Sequence, residues 1–227
     1  MARTEADLEQ VSALCREAGA VQVLRVVTDV TAEAEMELAF ERVVAKLGGL
    51  DVVIANAGVA ASSLDVSARM SRLESYTAAV ALRILEVHTF GVWLTMTAAF
   101  PRMSRGGSFS AIGSELGSRP GSGGGILAVS KAGVNALVAI AAAEQAENSI
   151  RVNVLSPGGM VDTHLFGPDG LPATMKERLP VAETEVVVPA ALPKKSLRSW
   201  AGLRFFRVRV PPPRWCLLPG TPRVARP

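Results

Sequence analysis

Aromatic residues and cysteines are scarce in this chain, and long apolar runs are absent. Aromatics make up 5% of the 227 residues, and the two cysteines, Cys15 and Cys216, stand far apart in unlike contexts. This spacing argues against a disulfide framework and predicts reduced thiols in a cytoplasmic protein. The first residues lack the apolar core of a signal peptide, and no apolar run approaches the length of a membrane span. We therefore expect no membrane partner.

Alanine, valine and glycine are abundant instead, which suits a sheet packed closely by helices. With 49% hydrophobic and 20% charged residues, the chain has the material for one sizeable core. Helical and strand-like patterns alternate, which predicts an α/β fold with a parallel sheet and crossover helices. The predicted strands are Val21–Val27, Val52–Ala55, Ser108–Ser114 and Ile150–Leu155. The predicted helices are one with Leu8, Val11 and Leu14 on one side, then Met36–Leu47, Leu82–Met103 and Val129–Glu147.

Four segments of the chain, in order, resemble the short-chain dehydrogenase/reductase family. Ser114, thirteen positions before Leu127, and the run Leu127-x-x-x-Lys131 resemble the family's serine and Tyr-x-x-x-Lys pattern. The other three segments are strand ends, namely Thr28–Thr31, Asp51–Gly58 with its Asn-Ala-Gly ending, and Arg151–Gly158 with its Pro-Gly ending. Together the four segments cover roughly residues 2 to 166. The resemblance implies a Rossmann-type doubly wound parallel sheet.

The resemblance also implies a division of catalytic roles. In the family, a tyrosine hydroxyl gives a proton to the carbonyl oxygen, and the adjacent lysine lowers the pKa of that hydroxyl and binds the nicotinamide ribose. A serine positions the substrate oxygen. Lys131 and Ser114 stand at the lysine and serine positions. Leu127 stands at the tyrosine position and has no proton to give.

The run Val-His-Thr-Phe-Gly around His88 resembles the family's Val-Asn-x-x-Gly, whose asparagine supports a water relay behind the lysine. A histidine titrates near neutrality, so His88 could in principle act as a substitute acid. We interpret it instead as a structural position behind Lys131. Tyr76, the only tyrosine, is not expected to reach Lys131, and His164 is expected to be an exposed loop residue.

NADP or NAD is the cofactor that the resemblance implies. The implied contacts are Asp29 and Val30 at the adenine, Asn56, Ala57 and Gly58 at its ribose, and Lys131, Pro157, Gly158 and Thr163 at the nicotinamide side. Arg3 occupies the basic position after the family's second strand, which favours a 2′-phosphate and hence NADP. The residues alone leave simpler interpretations open: Asp29 as a helix cap, Gly58 as a turn glycine and Arg3 as a solvated residue.

Two parts of the resembled fold are missing from the pattern. No glycine-rich turn, which in the family cradles the cofactor phosphates, precedes Leu8, and residues 121–125 are interpreted as a loop. The family's first strand, which precedes that turn and lies in the middle of the sheet, is missing from the pattern as well. Val52–Ala55 is therefore expected to be an open edge of the sheet, and Val21–Val27 is expected to lose its neighbouring strand. The family's last strand is also expected to be replaced. We therefore expect an incomplete sheet and weak or undetectable NAD(P) binding.

Charge and proline divide the chain at about residue 190. Residues 194–227 hold nine Lys/Arg and no Asp/Glu, which leaves 15 basic and 21 acidic residues, a net charge of −6, in the first 193. Seven of the 14 prolines also lie in residues 193–227. This predicts a Rossmann-like domain over residues 1–190 and a disordered basic tail over 191–227. A nucleic-acid or membrane-surface role is the alternative for the tail, but no helical basic face or known motif supports it, so no nucleic acid is expected.

The expected function is NAD(P)-dependent interconversion of a small alcohol and a carbonyl compound. Its activity is expected to be impaired or absent, because the tyrosine position holds Leu127 and the phosphate-binding turn is missing. Two alternatives stay open. One is a non-catalytic pseudoenzyme that pairs with itself or with a chain completing its sheet, for which the helix Val129–Glu147 offers a face. The other is an incomplete gene product.

Overall fold

The computed structural model describes residues 1–64, 72–121 and 124–156, together with the strands at 184–189 and 205–210. Pro157, Gly158, Thr163, His164 and Cys216 lie outside the described residues. The strands are β1 Val52–Ala55, β2 Ser108–Ile112, β3 Arg151–Ser156, β4 Thr184–Pro189 and β5 Phe205–Val210. The α-helices are α1 Glu5–Glu17, α2 Glu33–Leu47, α3 Ala61–Leu64, α4 Ala78–Leu85, α5 Gly91–Ala99, α6 Glu115–Ser118 and α7 Gly125–Glu144. A π-turn at Glu86–Phe90 joins α4 to α5, and 3-10 turns lie at Leu73–Ser75, Phe100–Arg102 and Gln145–Asn148.

The described strands form one sheet in the order β1-β2-β3-β4-β5. The first three run parallel, with Val53 beside Phe109 and Phe109 beside Val152. β4 runs antiparallel to β3, and β5 runs antiparallel to β4. The α/β fold with a parallel sheet is therefore confirmed. β1 has a strand on one side only, and an antiparallel strand stands beside β3 at the other side of the parallel part.

The core lies between this sheet and the helices α2, α5 and α7. Strand residues alternate between the core and the other face, so Phe109 and Ala111 of β2 are both fully buried at 0% exposure. Val134 and Val138, one turn apart on α7, are also 0% exposed and face the sheet. These small and branched side chains allow the close packing of helix on sheet that the composition predicted. The rest of the core consists chiefly of Met36, Phe40, Leu94, Ala99, Val152 and Val154.

The predicted strand over residues 21–27 is wrong. Within the described chain, this segment makes a single parallel bridge, between Val27 and Ala2, with the Thr28 N–H donating to the Ala2 carbonyl at 2.9 Å. Strand geometry needs a ladder of such bonds, and no described strand runs alongside to supply it. Val21 is consequently fully exposed and Val27 is 54% exposed.

Helix α1 forms as predicted, and most of the apolar side that its pattern marks is exposed. Val11 is 54% exposed and Leu14 is 40% exposed, whereas Ser12 is buried at 1%. In the part of the chain that the structure describes, the Ser12 hydroxyl has no hydrogen-bond partner. Cys15 carries a free thiol and is half-buried. The apolar stripe of α1 therefore has little of the fold to pack against.

The long central helix begins at Ala78, four residues earlier than predicted, because Thr77 caps it by accepting the Val80 N–H. Residues 78–102 and 125–148 are also long and apolar enough to cross a membrane, so the expectation that no run approaches a membrane span was wrong on length and composition. Both segments contribute buried residues to the core, with Ile84 and Leu94 of the first at 1% exposure and Val134 and Val138 of the second at 0%. Core helices pass the same test, so length and composition alone are weak evidence of a membrane span.

Two further boundaries differ from the expectations. α7 begins at Gly125, which has a φ of +50°, so this glycine is the first residue of the helix instead of part of a loop before it. The strand β5, Phe205–Val210, lies inside the tail for which no regular element was predicted. Its apolar and basic residues alternate with the strand period of two, a signal that the proline and charge counts concealed.

Candidate active site

The predicted site residues follow the carboxyl ends of neighbouring parallel strands. Asn56 comes directly after β1, and Ser114 is the second residue after the end of β2. Because parallel strands end at the same edge of a sheet, ligands in such folds bind in the crevice beyond these ends. The Ser114 hydroxyl is half-buried and accepts the Leu116 N–H at 3.3 Å, so it caps the short helix α6. Among the described residues its own hydrogen has no acceptor, so it can donate to a substrate oxygen.

Lys131 is buried in the described structure, on the second turn of α7. Lys131 is only 8% exposed. Its Nζ donates a hydrogen bond to the carbonyl oxygen of Ile112, the last residue of β2, at 2.7 Å. Burial lowers the pKa of Lys131 to about 8. The ammonium therefore lies beside the strand end that leads to Ser114, and it remains mostly charged at neutral pH.

Leu127 stands one helical turn before Lys131 and is half-buried. Its backbone carbonyl accepts the Ser130 hydroxyl at 2.8 Å, and its aliphatic side chain offers no hydrogen bond. Gly117 on α6 lets this part of α7 approach, because a Cβ there would lie 2.7 Å from the backbone carbonyl carbon of Lys131. The structure thus brings Ser114, Leu127 and Lys131 to one region, as the spacing predicted.

His88 lies on the π-turn and is almost fully buried, at 3% exposure. Its Nε2 accepts the Val59 N–H at 3.0 Å, and its Nδ1 lies 3.0 Å from the Ser130 hydroxyl. Gly58 packs against the ring, because a Cβ there would lie 3.2 Å from Nε2. The π-turn adds one residue to the helical turn, and such turns often mark functional positions.

The environment of His88 keeps its ring neutral. Burial, with a contribution from the Lys131 ammonium, lowers the pKa of His88 to about 3. Both ring nitrogens are engaged with protein groups, so neither faces a substrate in the described structure. This geometry supports the structural interpretation of His88 over that of a substitute acid.

Asp29 makes an internal cluster at the predicted adenine position. Its Oδ1 accepts the Thr31 N–H at 2.9 Å and the Thr31 hydroxyl at 2.7 Å, and its Oδ2 accepts Nη2 of Arg83 at 3.2 Å. Burial opposes ionisation, but the bonds from Thr31 and Arg83 outweigh it and lower the pKa of Asp29. The Asp29 N–H donates to the Glu35 carboxylate at 2.9 Å. Both carboxylate oxygens and the backbone N–H of Asp29 therefore already have hydrogen-bond partners within the chain.

The other predicted cofactor residues differ in their surroundings. Asn56, Ala57 and Gly58 are exposed, as a surface for a ligand requires, and Val30 packs against Gly91, where a Cβ would lie 2.9 Å from its Cγ2. Arg3 is exposed beside the Ala2 bridge. The predicted nicotinamide contacts Pro157, Gly158 and Thr163 lie outside the described residues.

Three residues with roles in the site were not singled out from the sequence. Arg83 ties the loop at Asp29 to α4, Ser130 is the buried partner of His88, and Gly117 permits the contact with α7. Ser130 carried a local signal, because it directly precedes Lys131 inside an apolar helix. Tyr76 also packs against the start of α7, because its ring lies on Gly125, where any Cβ would overlap it.

Comparison with known proteins agrees with this geometry. A family model described as Enoyl-(Acyl carrier protein) reductase matches residues 1–184. The cis-4-hydroxycyclohexanecarboxylate dehydrogenase of Sinomonas cyclohexanicum is 34% identical over 177 residues, which are 76% of this chain and 68% of that protein. Carbonyl reductase family member 4 of Xenopus tropicalis is 31% identical over 67% of this chain and 61% of its own length. An uncharacterized NAD-dependent oxidoreductase of Mycobacterium tuberculosis is matched over 54% of its length.

Solved structures share the fold. A dehydrogenase/reductase of Sinorhizobium meliloti 1021 has a TM-score of 0.67 at 22% identity, covering 78% of this chain and 66% of its own. A short-chain dehydrogenase of Burkholderia cenocepacia in complex with NADP has a TM-score of 0.63 at 26% identity, covering 75% and 65%. NAD+-bound xylitol dehydrogenase has a TM-score of 0.65 at 26% identity, covering 72% and 61%. With its first 184 residues matched by the family model and its sheet shared with these enzymes, the chain belongs to the short-chain dehydrogenase/reductase family of NAD(P)-dependent oxidoreductases.

Proposed function

We propose that this chain is an oxidoreductase of the alcohol/carbonyl type whose turnover, as the chain stands, is very weak or absent. The observation that carries this proposal is Leu127, which occupies the turn of α7 before Lys131. Reduction of a carbonyl needs a hydride, which a nicotinamide supplies when bound, and a proton for the oxygen. Leucine has no proton to give, so the second requirement is unmet at this position.

The remaining groups support binding better than proton transfer. Ser114 can donate its hydroxyl hydrogen to a substrate oxygen and so hold it in place. Lys131 carries acidic hydrogens, but its Nζ is bound to the Ile112 carbonyl and is 8% exposed. Its positive charge favours an electron-rich group nearby, such as a ribose hydroxyl or a carbonyl oxygen. We infer a site that orients a small carbonyl or alcohol compound without efficiently protonating it.

The described residues fit the adenosine part of NADP or NAD better than its phosphates. Asn56, Ala57 and Gly58 offer an exposed polar edge, and the exposed Arg3 favours the 2′-phosphate of NADP. The described residues that the resemblance assigns to the cofactor lie at its adenosine end and at Lys131, and none of them is assigned to its pyrophosphate, which binds best at backbone N–H groups of a helix N-terminus. We therefore propose that NADP binds weakly, through its adenosine end.

Calorimetric titration with NADP and NAD tests the binding proposal, and NADPH consumption with a panel of aldehydes and ketones tests the lack of turnover. We expect affinity weaker than low-micromolar, which corresponds to about −8 kcal/mol, and no measurable consumption of NADPH. Low-micromolar affinity would contradict the first expectation, and steady turnover the second. If turnover occurs, a Lys131→Met variant identifies its source, because activity at this site should then be lost.

A second candidate function, pairing with another copy of the chain, is favoured by an exposed apolar groove. Leu82, Phe90 and Trp93 on the central helix are 57%, 43% and 42% exposed, and the two rings pack with centroids 5.3 Å apart. Together with Leu137 of α7 they border a groove of about 600 Å³. Apolar surface of this kind is often an interface. The resembled family pairs subunits through helix faces, so we propose a second copy as the occupant.

Sedimentation tests this pairing with a matched pair of variants. Trp93→Glu places a charge in the groove and should convert a dimer to a monomer. Leu38→Glu places the same charge on α2, at a residue of 59% exposure, and should leave the dimer intact. A wild-type chain that sediments as a monomer at tens of micromolar would exclude the pairing.

A further inference from the structure

The imidazole of His88 connects two segments that the sequence separates widely. On one side it receives the N–H of Val59, at the end of the exposed loop that follows β1. On the other side it meets the hydroxyl of Ser130, the residue before Lys131 on α7. The loop that would meet the adenosine ribose is thereby linked to the helix that carries the lysine.

The direction of every hydrogen bond in this link follows from its first donor. Because the Val59 N–H can only donate, Nε2 accepts and the neutral ring carries its hydrogen on Nδ1. Nδ1–H then donates to the Ser130 hydroxyl, whose own hydrogen donates to the Leu127 carbonyl at 2.8 Å. Ser130 is 0% exposed. A buried network in which every polar group has a partner holds one arrangement strongly.

Packing around the ring leaves little freedom for another arrangement. Gly58 leaves room for the ring, since an added Cβ would lie 3.2 Å from Nε2. The neighbouring Thr89 makes a parallel link, with its hydroxyl donating to the Ser130 carbonyl at 3.0 Å. Gly133 lies directly against Thr89, where a Cβ would be 2.9 Å from its methyl group. The π-turn is therefore fastened to α7 at two adjacent residues.

We propose that His88 is a positioning residue that fixes the loop of residues 56–59 relative to Lys131, so that both contact one nucleotide at a set separation. The nucleotide in this proposal rests on the proposed function. The link itself involves only side chains and backbone of this chain. It differs from a local packing role because a change at Ser130 must be felt at Val59, whose N–H is bonded to the opposite nitrogen of the ring.

Amide hydrogen exchange at Val59 tests the link. Ser130→Ala removes the acceptor of the ring hydrogen while leaving the Val59 bond in place. If the ring transmits position, the Val59 amide should exchange roughly five- to tenfold faster, which is the effect of losing one net hydrogen bond. His88→Asn should raise the rate at least as much, because it disturbs both bonds. The 15N shifts of the ring in the wild-type chain should also show a neutral, Nδ1-protonated form at pH 5.

Thr95→Val supplies the matched control. The Thr95 hydroxyl is buried at 7% exposure and donates to the Gly91 carbonyl at 2.7 Å on the same central helix, away from the loop. This variant should lose a similar hydrogen bond without faster exchange at Val59, after correction for global stability. Equal exchange at Val59 in Ser130→Ala and Thr95→Val overturns the link.

Titration with ADP-ribose, which carries the adenosine end without the nicotinamide, tests the positioning. Ser130→Ala should weaken its binding severalfold, and Thr95→Val should not. Faster exchange at Val59 with unchanged ADP-ribose affinity overturns the positioning role. A wild-type chain that binds no ADP-ribose refutes the proposed nucleotide site, while the exchange data still decide whether His88 links the loop to α7.

Discussion

Two regions of the molecule contain similar residues but bury them to very different degrees. In the packed half, formed by β2, β3 and α7, Phe109 and Val134 are 0% exposed. In the open half, formed by residues 1–32 and β1, Val11, Val27 and Val52 are 54%, 54% and 63% exposed. Apolar content does not explain this contrast, because both halves are rich in valine. The number of neighbouring strands does: among the described residues β2 has one on each side, β1 has one, and Val27 has a single bridge.

The contrast separates the two tasks of the site. Ser114 and Lys131 belong to the packed half, which holds their backbone rigidly. Asp29 and Asn56, the implied cofactor residues, belong to the open half or its margin. Regions with few buried contacts open locally at low free-energy cost. We therefore expect the substrate-facing groups to be well placed and the cofactor-facing groups to be the weak point of the chain.

The largest expected effect comes from completing the open half while restoring the missing acid. Leu127→Tyr alone should give little or no NADPH consumption, because no described residue is assigned to the cofactor pyrophosphate. Joining a strand, glycine-rich turn and helix ahead of Met1, together with Leu127→Tyr, should raise turnover by more than the about 10²–10⁴ that a positioned proton donor usually contributes. The combined gain should exceed the sum of the separate gains, since the parts act as a unit.

Turnover assays on four proteins decide this prediction: the unaltered chain, each single change and the combination. Strong turnover by Leu127→Tyr without the added segment would show that the open half already holds the cofactor. The contrast between the halves would then have no bearing on catalysis.

Truncating one apolar side chain in each half should show directly how tightly each half is packed. Phe109→Ala empties a site at 0% exposure and should cost about 3–5 kcal/mol of the free energy of unfolding. Leu14→Ala, at 40% exposure on α1, should cost less than about 1 kcal/mol. Urea denaturation provides both values. Similar losses at the two positions would show that α1 is packed as tightly as β2.

Acid should destabilise the packed half through His88. Its pKa is lowered from an ordinary value of 6.5 to about 3, so the unfolded chain binds this proton first as the pH falls. Stability is therefore full above about pH 6.5 and declines towards pH 3, by at most about 1.4 kcal/mol for each pH unit. Denaturation at pH 7.5 and 4.5 should show the decline, and His88→Asn should flatten it. An equally steep profile in that variant would assign the effect to other groups.

The smallest expected effect concerns the ion pair at the margin of the open half. Arg83 and Asp29 are 28% and 29% exposed, so the pair is partly solvated. Arg83→Gln should cost about 0–1 kcal/mol of stability, as such pairs usually do. It should also raise the pKa of Asp29, which the Arg83 hydrogen bond helps to lower. Carboxyl 13C shifts followed against pH measure this rise, and an unchanged titration would mean that the bonds from Thr31 suffice.

Much of the packed half could be predicted from the sequence because its signals are local. The runs that became β2 and β3 are short, alternate polar and apolar residues, and are bounded by polar or glycine residues, which is the pattern of a strand buried on one face. The structure likewise brings Ser114, Leu127 and Lys131 to one region, because the end of a strand and a single turn of helix fix their positions. Burial of Ser130 against His88 could not be predicted, because it depends on the crossing of two helices.

The open half was harder to predict, because its residues depend on neighbours. Residues 21–27 have the composition of a strand, yet a strand exists only through hydrogen bonds to another strand. The face of α1 was assigned from Leu8, Val11 and Leu14, whereas the structure buries Ser12. Local periodicity describes which residues could be covered, and only the assembled sheet decides which are.

Close glycine contacts around α7 bear on how the history of this chain should be read. Gly117 lies against the backbone of Lys131, and Gly133 lies against Thr89. Any larger residue at either position would separate α7 from its neighbours whether or not the chain turns over a substrate. In a mutational scan selected only for solubility, both glycines should therefore persist while Ser114 and Lys131 drift. Their presence records a requirement of folding, and it is no sign that catalysis has been retained.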